Sequence, residues 1–334
     1  MSFGMIAMAD TVESALITSS SLKQRLAVQA GAVVSLVNAQ SSETTFLGVG
    51  VASETPMEAG SLTKVFTALL AAQSIRRGEM TLDTRLDQLL FQQDWPGDPL
   101  TVLHLATHTS GLPRLSISKP DILPNRLDPY QTYSREHLLN WLQVQRPHAP
   151  DTKQHSYSNL GYAVLGLMLE RATAKTYAEL LQERLLQPLG MKDSELHLTG
   201  CPDRTSQGFK ADGSRTSVWH FDGYAPCGAL VSTATDMIMA LQAMMQPEGL
   251  LRVEMDSTMQ PLAESLHGNV GLAWVLPHGQ TWGWHNGATF GYTSYLGLDR
   301  ERQMGIAILC NQFLPAEINE LGHKLMRVHE NNHG

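Results

Sequence analysis

Three segments of the chain carry the pattern Ser-x-x-Lys, at residues 20–23, 61–64 and 116–119. On a helix this spacing places a hydroxyl and an ammonium group one turn apart on the same face. A neighbouring base can then take the serine proton, while the cation stabilises the developing charge. Residues 116–119 run into a proline, which disfavours helical geometry, and residues 20–23 fit a solvated pair on an amphipathic helix.

The remaining segment, residues 61–64, has the context of a reactive pair. Ser61 follows Gly60 and begins the most apolar helix that the sequence predicts, over residues 61–77. A serine at that end of a helix lies beside peptide N–H groups that can bind an oxyanion. Simple capping of the helix by the serine is the alternative interpretation.

A second candidate group is Tyr157-Ser158-Asn159, the only Tyr-x-Asn in the chain. A phenol with a pKa near ~10 becomes a useful base only where cations lower that pKa, and Lys64 is the cation that we expect to do so. The amide of Asn159 can bond both a lysine and a substrate carbonyl. The alternative is a loop tyrosine followed by a helix-capping asparagine.

A third candidate group, residues 284–288, ends a predicted strand with the sequence Trp-His-Asn-Gly-Ala. Gly287 allows a substrate backbone to approach the strand edge closely. The peptide N–H of Ala288 can then join that of Ser61 in an oxyanion hole. His285 is expected to face the cleft as a donor or part-time cation, which predicts better handling of carboxylate substrates below pH ~6.5. A hydrogen-bonded strand histidine is the alternative.

The elements that must position these groups form a strand-rich beginning and end around a helical middle. The pattern predicts a mainly antiparallel sheet with helices packed on it, an α+β (α/β) architecture with an inserted helical segment. Predicted strands cover residues 31–38, 44–51, 270–276, 281–285, 293–298 and 304–309. Predicted helices cover residues 11–28, 61–77 and 315–328, with mostly helical pattern over 80–245.

This order predicts two structural parts with an active site in the cleft between them. Residues 10–78 together with 250–330 are expected to form the discontinuous sheet part. Residues 79–249 are expected to form the mainly helical part.

The composition argues against several classes of protein. The 334 residues carry a formal net charge of -8 and are 43% hydrophobic, which suits a folded core and argues against disorder. No apolar run approaches the ~20 residues of a membrane helix, so no integral membrane segment is predicted. The excess of acid and the lack of a Lys/Arg cluster argue against nucleic-acid binding.

Metal and disulfide chemistry are not indicated either. The three cysteines are far apart and odd in number, so they form no disulfide framework or metal knuckle. His104 and His108 have a helical spacing, but no glutamate completes a zinc motif and a structural role is favoured. No metal and no cofactor are therefore predicted.

The first nine residues are compatible with more than one cellular location. They read MSFGMIAMA, apolar and ending in a small-x-small pattern, but they lack a positively charged start. A periplasmic or secreted location is expected if they are the remnant of a signal peptide, and a cytoplasmic one otherwise. Nothing in the sequence predicts an oligomeric state.

Taken together, the three groups resemble the serine β-lactamase and penicillin-binding protein superfamily, in the branch of class C β-lactamases, DD-carboxypeptidases and family VIII esterases. Residues 61–64, 157–159 and 285–287 occur in that family's order and at roughly its spacing. Further stretches that look like the family lie at residues 60–67, 103–113, 157–170, 228–236 and 283–292.

The resemblance implies a β-lactamase/transpeptidase-like fold and a serine hydrolase without a cofactor. It implies Ser61 as the acylated nucleophile, Lys64 and Tyr157 as the proton-handling pair, and Asn159 as a substrate and lysine anchor. His285 and Gly287 would belong to the substrate-binding strand. The backbone N–H groups of Ser61 and Ala288 would form the oxyanion hole.

Two departures from the class C pattern bear on the substrate. His285 replaces the usual lysine, and Arg114 with its neighbour occupies the region where a glutamine is usual. Family VIII esterases often have Trp-x-Gly at the third motif, so that class does not match perfectly.

The predicted function is hydrolysis of an amide or lactam bond, β-lactamase-related or DD-peptidase-like. The substrate is expected to be a small molecule or peptide with an acyl group. A carboxylesterase of the same fold is the first alternative, and a non-catalytic binding module is the second.

Overall fold

The computed structural model describes residues 20–116, 128–152 and 154–331. The strands are β1 Gly31–Asn38, β2 Ser42–Gly48, β3 Met57–Glu58, β4 Glu195–Leu196, β5 Gly208–Phe209, β6 Arg215–Thr216, β7 Leu230–Ser232, β8 Ala263–Ser265, β9 Gly268–Val270, β10 Val275–Leu276, β11 Trp282–Ala288, β12 Thr293–Asp299 and β13 Met304–Cys310. The helices are α1 Ser20–Arg25, α2 Thr63–Arg76, α3 Leu86–Phe91, α4 Val102–Ala106, α5 Arg135–Gln145, α6 Asn159–Thr173, α7 Tyr177–Leu181, α8 Gln187–Leu189, α9 Ala225–Gly228, α10 Ala234–Met245, α11 Arg252–Thr258 and α12 Pro315–Asn331. A 3₁₀ turn, Gly60–Leu62, precedes α2, and a π-helical turn, Gln182–Leu186, joins α7 to α8.

The main sheet is antiparallel throughout, in the order β2-β1-β13-β12-β11-β10-β9-β8. Strand β1 lies between β2 and β13, with Val34 opposite Ile308. The first and last strands of the chain therefore share one sheet. This arrangement confirms the predicted antiparallel sheet with flanking helices.

Both faces of the sheet are buried. Along β1 the side chains alternate, so that Val33 packs in one apolar cluster and Val34 in a second. The first cluster contains α2, α6 and α10, and the second contains α1 and α12. The molecule is thus layered as helix, sheet and helix.

Helix α2 is the most deeply buried helix of the first cluster. Its side chains from Thr63 to Ser74 are all buried, as expected for a helix that is apolar on every side. Gly60, with φ +52°, turns the chain immediately before it. The Thr63 hydroxyl donates to the Gly60 carbonyl at 2.7 Å and accepts from the Leu230 N–H at 3.0 Å, which fixes the start of α2 against β7.

Several element boundaries differ from the sequence predictions. The predicted strand 270–276 is broken at residues 271–274, and the hairpin of β8 and β9 precedes it. The middle of the chain also contains short strands: β7 pairs with β3 on one side and with β4 on the other, over two residues each. Such short strands do not produce a recognisable alternation of apolar and polar residues in the sequence. Residues 11–19 of the predicted first helix lie outside the described residues.

Across the described ranges, none of the helices has the combination of length and apolar character needed to span a membrane.

Candidate active site

Three side chains predicted from two separate motifs lie together at the start of α2. The Tyr157 hydroxyl donates to Ser61 Oγ at 2.7 Å, and Lys64 Nζ donates to the same oxygen at 3.1 Å. Ser61 lies in the 3₁₀ turn and is partly exposed, whereas Lys64 is fully buried one turn further on. Tyr157 comes from the loop before α6, so the chain folds to bring residues nearly one hundred positions apart into contact.

The buried ammonium group of Lys64 has three acceptors. Besides Ser61 Oγ it donates to Asn159 Oδ1 at 2.9 Å and to the carbonyl oxygen of Cys227 at 2.7 Å. An ammonium ion has three protons, and this geometry offers each of them an oxygen. The protonated amine is therefore well accommodated despite its burial. Its Nζ lies 4.8 Å from the centre of the Tyr157 ring.

Asn159 is placed by the beginning of α6. The Ser158 side chain caps this helix by accepting from the Gly161 N–H at 2.9 Å, and Asn159 is the first helical residue. Its oxygen accepts from Lys64, so its amide nitrogen is free to donate to the Tyr130 hydroxyl at 2.6 Å. The Ser158 cap and the Asn159 amide together hold the loop that carries Tyr157 against α2.

Two glycines allow the 3₁₀ turn and β11 to touch. A Cβ atom on Gly287 would lie 2.1 Å from the Ala59 carbonyl oxygen and 2.9 Å from the Ser61 nitrogen. A Cβ atom on Gly60 would lie 3.0 Å from the Ala288 nitrogen. Contacts under 3.0 Å are not tolerated by real side chains, so glycine at residue 287 is what brings the Ser61 and Ala288 backbones side by side.

The ladder between β11 and β12 sets the direction of the Ala288 N–H. Thr289 donates its N–H to the Tyr292 carbonyl, and Ala288 is the next residue back, opposite Thr293. Hydrogen-bonded pairs alternate along an antiparallel ladder, so the Ala288 N–H points away from β12. The 3₁₀ turn lies on that side, and the peptide N–H groups of Ser61 and Ala288 can serve one oxygen.

His285 lies in the same strand with its ring buried beside the cleft. Its Nδ1 is 2.7 Å from the carbonyl oxygen of Asn286. Burial, assisted by the nearby Lys64 charge, lowers the pKa of His285 to about 3. The sequence-based expectation that this ring becomes cationic near pH ~6.5 is therefore corrected: in the folded protein the imidazole stays neutral over the physiological range.

The sequence model of the family described as Beta-lactamase matches residues 20–330, nearly the whole chain. The chain belongs to the beta-lactamase family. The resemblance seen in the motifs is thereby confirmed.

Relatives within the beta-lactamase family cover two kinds of named protein. The chain is 28% identical over 206 residues to the D-alanyl-D-alanine-carboxypeptidase/endopeptidase AmpH of Escherichia coli strain K12, covering 60% of this chain and 52% of the relative. It thus spans about half the length of that relative. It is 25% identical over 306 residues to a beta-lactamase of the same strain, covering 79% of this chain and 78% of the relative.

Solved structures of the family share the fold. A class C beta-lactamase from Rhodobacter sphaeroides superposes with a TM-score of 0.79 at 20% identity, covering 96% of this chain and 99% of that one. The D-alanine carboxypeptidase AmpC from Burkholderia cenocepacia gives a TM-score of 0.78 at 21% identity, with coverage of 97% and 99%. The predicted fold class is confirmed by these likenesses.

The other two Ser-x-x-Lys segments do not form a comparable site in the described residues. Ser116 is buried, and its N–H donates to the Tyr224 hydroxyl at 2.8 Å. Lys119 and the side chain of Ser20 lie outside the described part of the chain. Lys23 is exposed on α1, on the opposite face of the sheet from α2.

His104, His108 and Cys227 take structural positions. His104 bonds to Thr101 at the start of α4, and His108 Nδ1 accepts from the Ser158 N–H at 3.1 Å. Burial raises the pKa of the Cys227 thiol to about 11, so the thiol is inert at neutral pH. Within the described ranges, no group of three or more His, Cys, Asp or Glu residues is arranged to hold a metal ion.

Sequence reasoning missed two neighbours of the reactive group. The carbonyl of Cys227 accepts from Lys64, but a backbone oxygen has no residue-type signature. Tyr130 bonds to Asn159 and stacks on Phe221, with ring centres 4.8 Å apart. The only signal for Tyr130 was its position in the Pro-rich stretch between the first two motifs.

Proposed function

We propose that this chain is a serine hydrolase that cleaves an amide or lactam bond through an acyl-enzyme on Ser61. The observation that carries the proposal is the convergence of Tyr157 Oη and Lys64 Nζ on Ser61 Oγ, at 2.7 and 3.1 Å. A nucleophile in contact with a candidate base, itself close to a fixed cation, is the arrangement that acyl transfer needs. Membership of the beta-lactamase family supports it.

During acylation, Lys64 and Tyr157 have different roles. Lys64 already donates in three directions, so it acts as the fixed cation and Tyr157, as phenolate, takes the Ser61 proton. Ser61 Oγ bonds to the carbonyl carbon and the carbonyl oxygen becomes an anion held by the N–H groups of Ser61 and Ala288. The carbon–nitrogen bond then breaks, and Tyr157 returns the proton to the leaving nitrogen.

Deacylation repeats these steps with water. A water molecule gives a proton to Tyr157 and attacks the acyl carbon, and the proton finally returns to Ser61 Oγ as the ester bond breaks. The products are a carboxylic acid and the free hydroxyl of Ser61. In this scheme Asn159 anchors Lys64 and the substrate carbonyl, and His285 and Gly287 line the strand along which the substrate lies.

We propose further that the site lies between two parts of the chain, residues 10–78 with 250–330, and residues 79–249. Ser61, Lys64 and Ala288 belong to the first part, and Tyr157 and Asn159 to the second. The contacts of Ser61 with Tyr157 and of Lys64 with Asn159 support this division because they cross from one part to the other.

The decisive experiment is an intact-mass time course after addition of a penicillin, run beside a 4-nitrophenyl ester. We expect a mass gain of one acyl group on the wild type and none on Ser61→Ala. Ser20→Ala is the matched control, since it removes the serine of another Ser-x-x-Lys segment on the far face of the sheet. Turnover retained by Ser61→Ala would refute the mechanism.

A second candidate, hydrolysis of esters, is favoured by one observation. His285 is neutral and buried, so the third motif lacks a permanent cation for a substrate carboxylate. A lasting penicillin adduct would indicate a peptidase-like enzyme with slow deacylation. No adduct, combined with rapid ester turnover that depends on Ser61, would indicate an esterase.

A further inference from the structure

His108 contacts the chain on both sides of Tyr157. Its carbonyl oxygen accepts from the Ser156 N–H at 2.7 Å, and its Nδ1 accepts from the Ser158 N–H at 3.1 Å. Between these two hydrogen bonds the imidazole ring packs on the phenol, with ring centres 4.5 Å apart. One buried residue thus contacts each residue from 156 to 158, the segment that carries the proposed base.

The backbone of His108 has a conformation that is unusual for a residue with a side chain. His108 lies just beyond the end of α4, and its φ of +58° is in the left-handed region. Helices commonly end in a left-handed residue, but glycine or asparagine is usual at that position. A larger side chain makes this conformation less favourable. The end of α4 therefore does not explain why the residue is a histidine.

The ring of His108 is in the form that can accept a hydrogen bond. The residue is 3% exposed, and burial, reinforced by the Lys64 charge, holds the pKa of His108 well below its usual range. A neutral imidazole accepts at one nitrogen and donates at the other, so the proton lies on Nε2 when Nδ1 accepts. Among the described residues, Nε2 has no hydrogen-bond partner. The polar contact of the ring is thus the one with the Ser158 N–H.

The other contacts of Tyr157 act on its ring and leave space beside it. Lys64 Nζ and the guanidinium carbon of Arg114 lie 4.8 and 5.3 Å from the ring centre. Tyr157 is partly exposed and borders a cavity of about 820 Å³. Ser158, in contrast, is fully buried. If Nδ1 were lost, its N–H would need a new partner, and the loop would have to move to provide one.

We propose that His108 is a positioning residue for Tyr157, because its Nδ1 fixes the backbone next to the tyrosine and thereby holds Oη 2.7 Å from Ser61 Oγ. This inference rests on the proposed function. His108 exchanges no proton itself. It acts through Tyr157, which takes the Ser61 proton and returns it to the leaving atom. A displacement of about 1 Å can slow such a step by about 10²-fold.

Substitutions at residue 108 test the side chain alone, because the carbonyl that bonds Ser156 remains in each of them. His108→Gly suits the left-handed conformation but lacks the acceptor, and His108→Phe keeps a ring without an acceptor. The acylation rate constant for 4-nitrophenyl acetate, measured by stopped flow, should fall by about 10²-fold in both, with a smaller change in KM. His108→Asn should restore most of the rate, because asparagine adopts this conformation and its Oδ1 can accept from the Ser158 N–H.

Gln92→Gly is the matched control for a change at a left-handed helix end. Gln92 follows α3 with φ +54° and is exposed. Its variant should acylate at the wild-type rate. Thermal unfolding of each variant confirms that the compared proteins are folded.

A double-mutant cycle with Tyr157→Phe distinguishes positioning of the phenol from general loosening of the site. In the Tyr157→Phe background, His108→Gly should cause no further loss of rate. Wild-type rates in His108→Gly or His108→Phe, a His108→Asn variant no faster than His108→Gly, or equal losses in both backgrounds would overturn the proposal. Turnover retained by Ser61→Ala would instead overturn the proposed function.

Discussion

At the scale of single residues, the Tyr157 hydroxyl connects the second motif to the proposed nucleophile. It donates to Ser61 Oγ at 2.7 Å, and the centre of its ring lies 4.8 Å from Lys64 Nζ. Lys64 cannot replace it, because the lysine's three donor directions already end on oxygens. In the proposed mechanism, proton transfer during acylation therefore depends on this one phenol.

The first prediction follows from that dependence. Tyr157→Phe removes the hydroxyl and keeps the ring, so we expect acylation to slow by about 10²- to 10⁴-fold with little change in folding. Tyr162→Phe is the matched control, because its hydroxyl donates to the Ala106 carbonyl, away from Ser61. Stopped-flow acylation rates check this, and equal rates for the two variants would contradict it.

Residue types and spacing, joined by the resemblance to a known family, predicted the neighbours of Ser61 but not the protonation of the nearby histidine. Residue type determines side-chain chemistry, so the sequence could indicate Lys64, Tyr157 and Asn159. The protonation of His285 could not, since it depends on how deeply the folded chain buries the ring beside Lys64. The backbone carbonyl of Cys227, which accepts from Lys64, could not be predicted either, because every residue has a backbone carbonyl.

At the scale of elements, the contact between the 3₁₀ turn and β11 aligns the proposed oxyanion donors. The Ser294 hydroxyl strengthens this contact by donating to the Ala59 carbonyl at 2.7 Å. The sequence predicted a strand over residues 281–285 and a close approach of the substrate backbone at Gly287, whereas in the structure the backbone of the 3₁₀ turn lies against Gly287. It did not predict the β8–β9 hairpin, whose residues mix polar and apolar types without alternation.

The second prediction concerns this contact. A methyl group at residue 287 would meet the Ala59 carbonyl at 2.1 Å, so Gly287→Ala should push β11 from the turn. We expect kcat to fall by about 10²-fold, the usual effect of losing one oxyanion donor. Gly161→Ala is the control, because its nearest neighbour is 3.5 Å away. Ester hydrolysis measures both variants, and unchanged kcat in Gly287→Ala would refute the expectation.

Glu58, at the end of β3, connects this strand to the loop at Trp219 and to Thr289, the residue after β11. It accepts from the Trp219 N–H and from the Thr289 hydroxyl. Burial, reinforced by Asp128 and Asp203, raises the pKa of Glu58 from 4.5 to about 8. The folded protein therefore binds this proton more tightly than the unfolded chain does. The stability it contributes is full below pH ~4.5 and is lost as pH rises through about 8.

The third prediction uses Glu58→Gln, which mimics the protonated acid at every pH. From pH 5 to pH 9 the free energy of unfolding of the wild type should fall relative to the variant by about 2–4 kcal/mol. Urea unfolding at several pH values measures the difference. Parallel stability curves for the two proteins would show that the carboxyl does not titrate in this range.

At the scale of the whole molecule, the second apolar cluster holds both ends of the described chain to the sheet. Helix α12 packs on β12 and β13, and Leu22 of α1 joins it. The site lies mainly in the first cluster, on the other face. Stability and chemistry are thus supported by different layers.

The fourth prediction distinguishes the effect of the second cluster on stability from its effect on acylation. Leu325 is fully buried in the second cluster, so Leu325→Ala should lower the free energy of unfolding by about 2–5 kcal/mol. The folded variant should still be acylated at Ser61. Val253→Ala is the control, because that side chain is 50% exposed and its loss should cost under about 0.5 kcal/mol. Calorimetry and intact mass measure the two effects.

The pairing of β1 with β13 and of the Ser61 turn with β11 has a consequence for biosynthesis. More than two hundred residues separate Ser61 from Ala288, so at about 5–20 residues per second a ribosome adds Ala288 roughly 10–45 s after Ser61. During that interval the nascent chain already contains the serine and its lysine, but β1 has no partner on one edge and the proposed oxyanion site has only one donor. Translation of the last strands therefore both closes the sheet and completes the proposed catalytic centre.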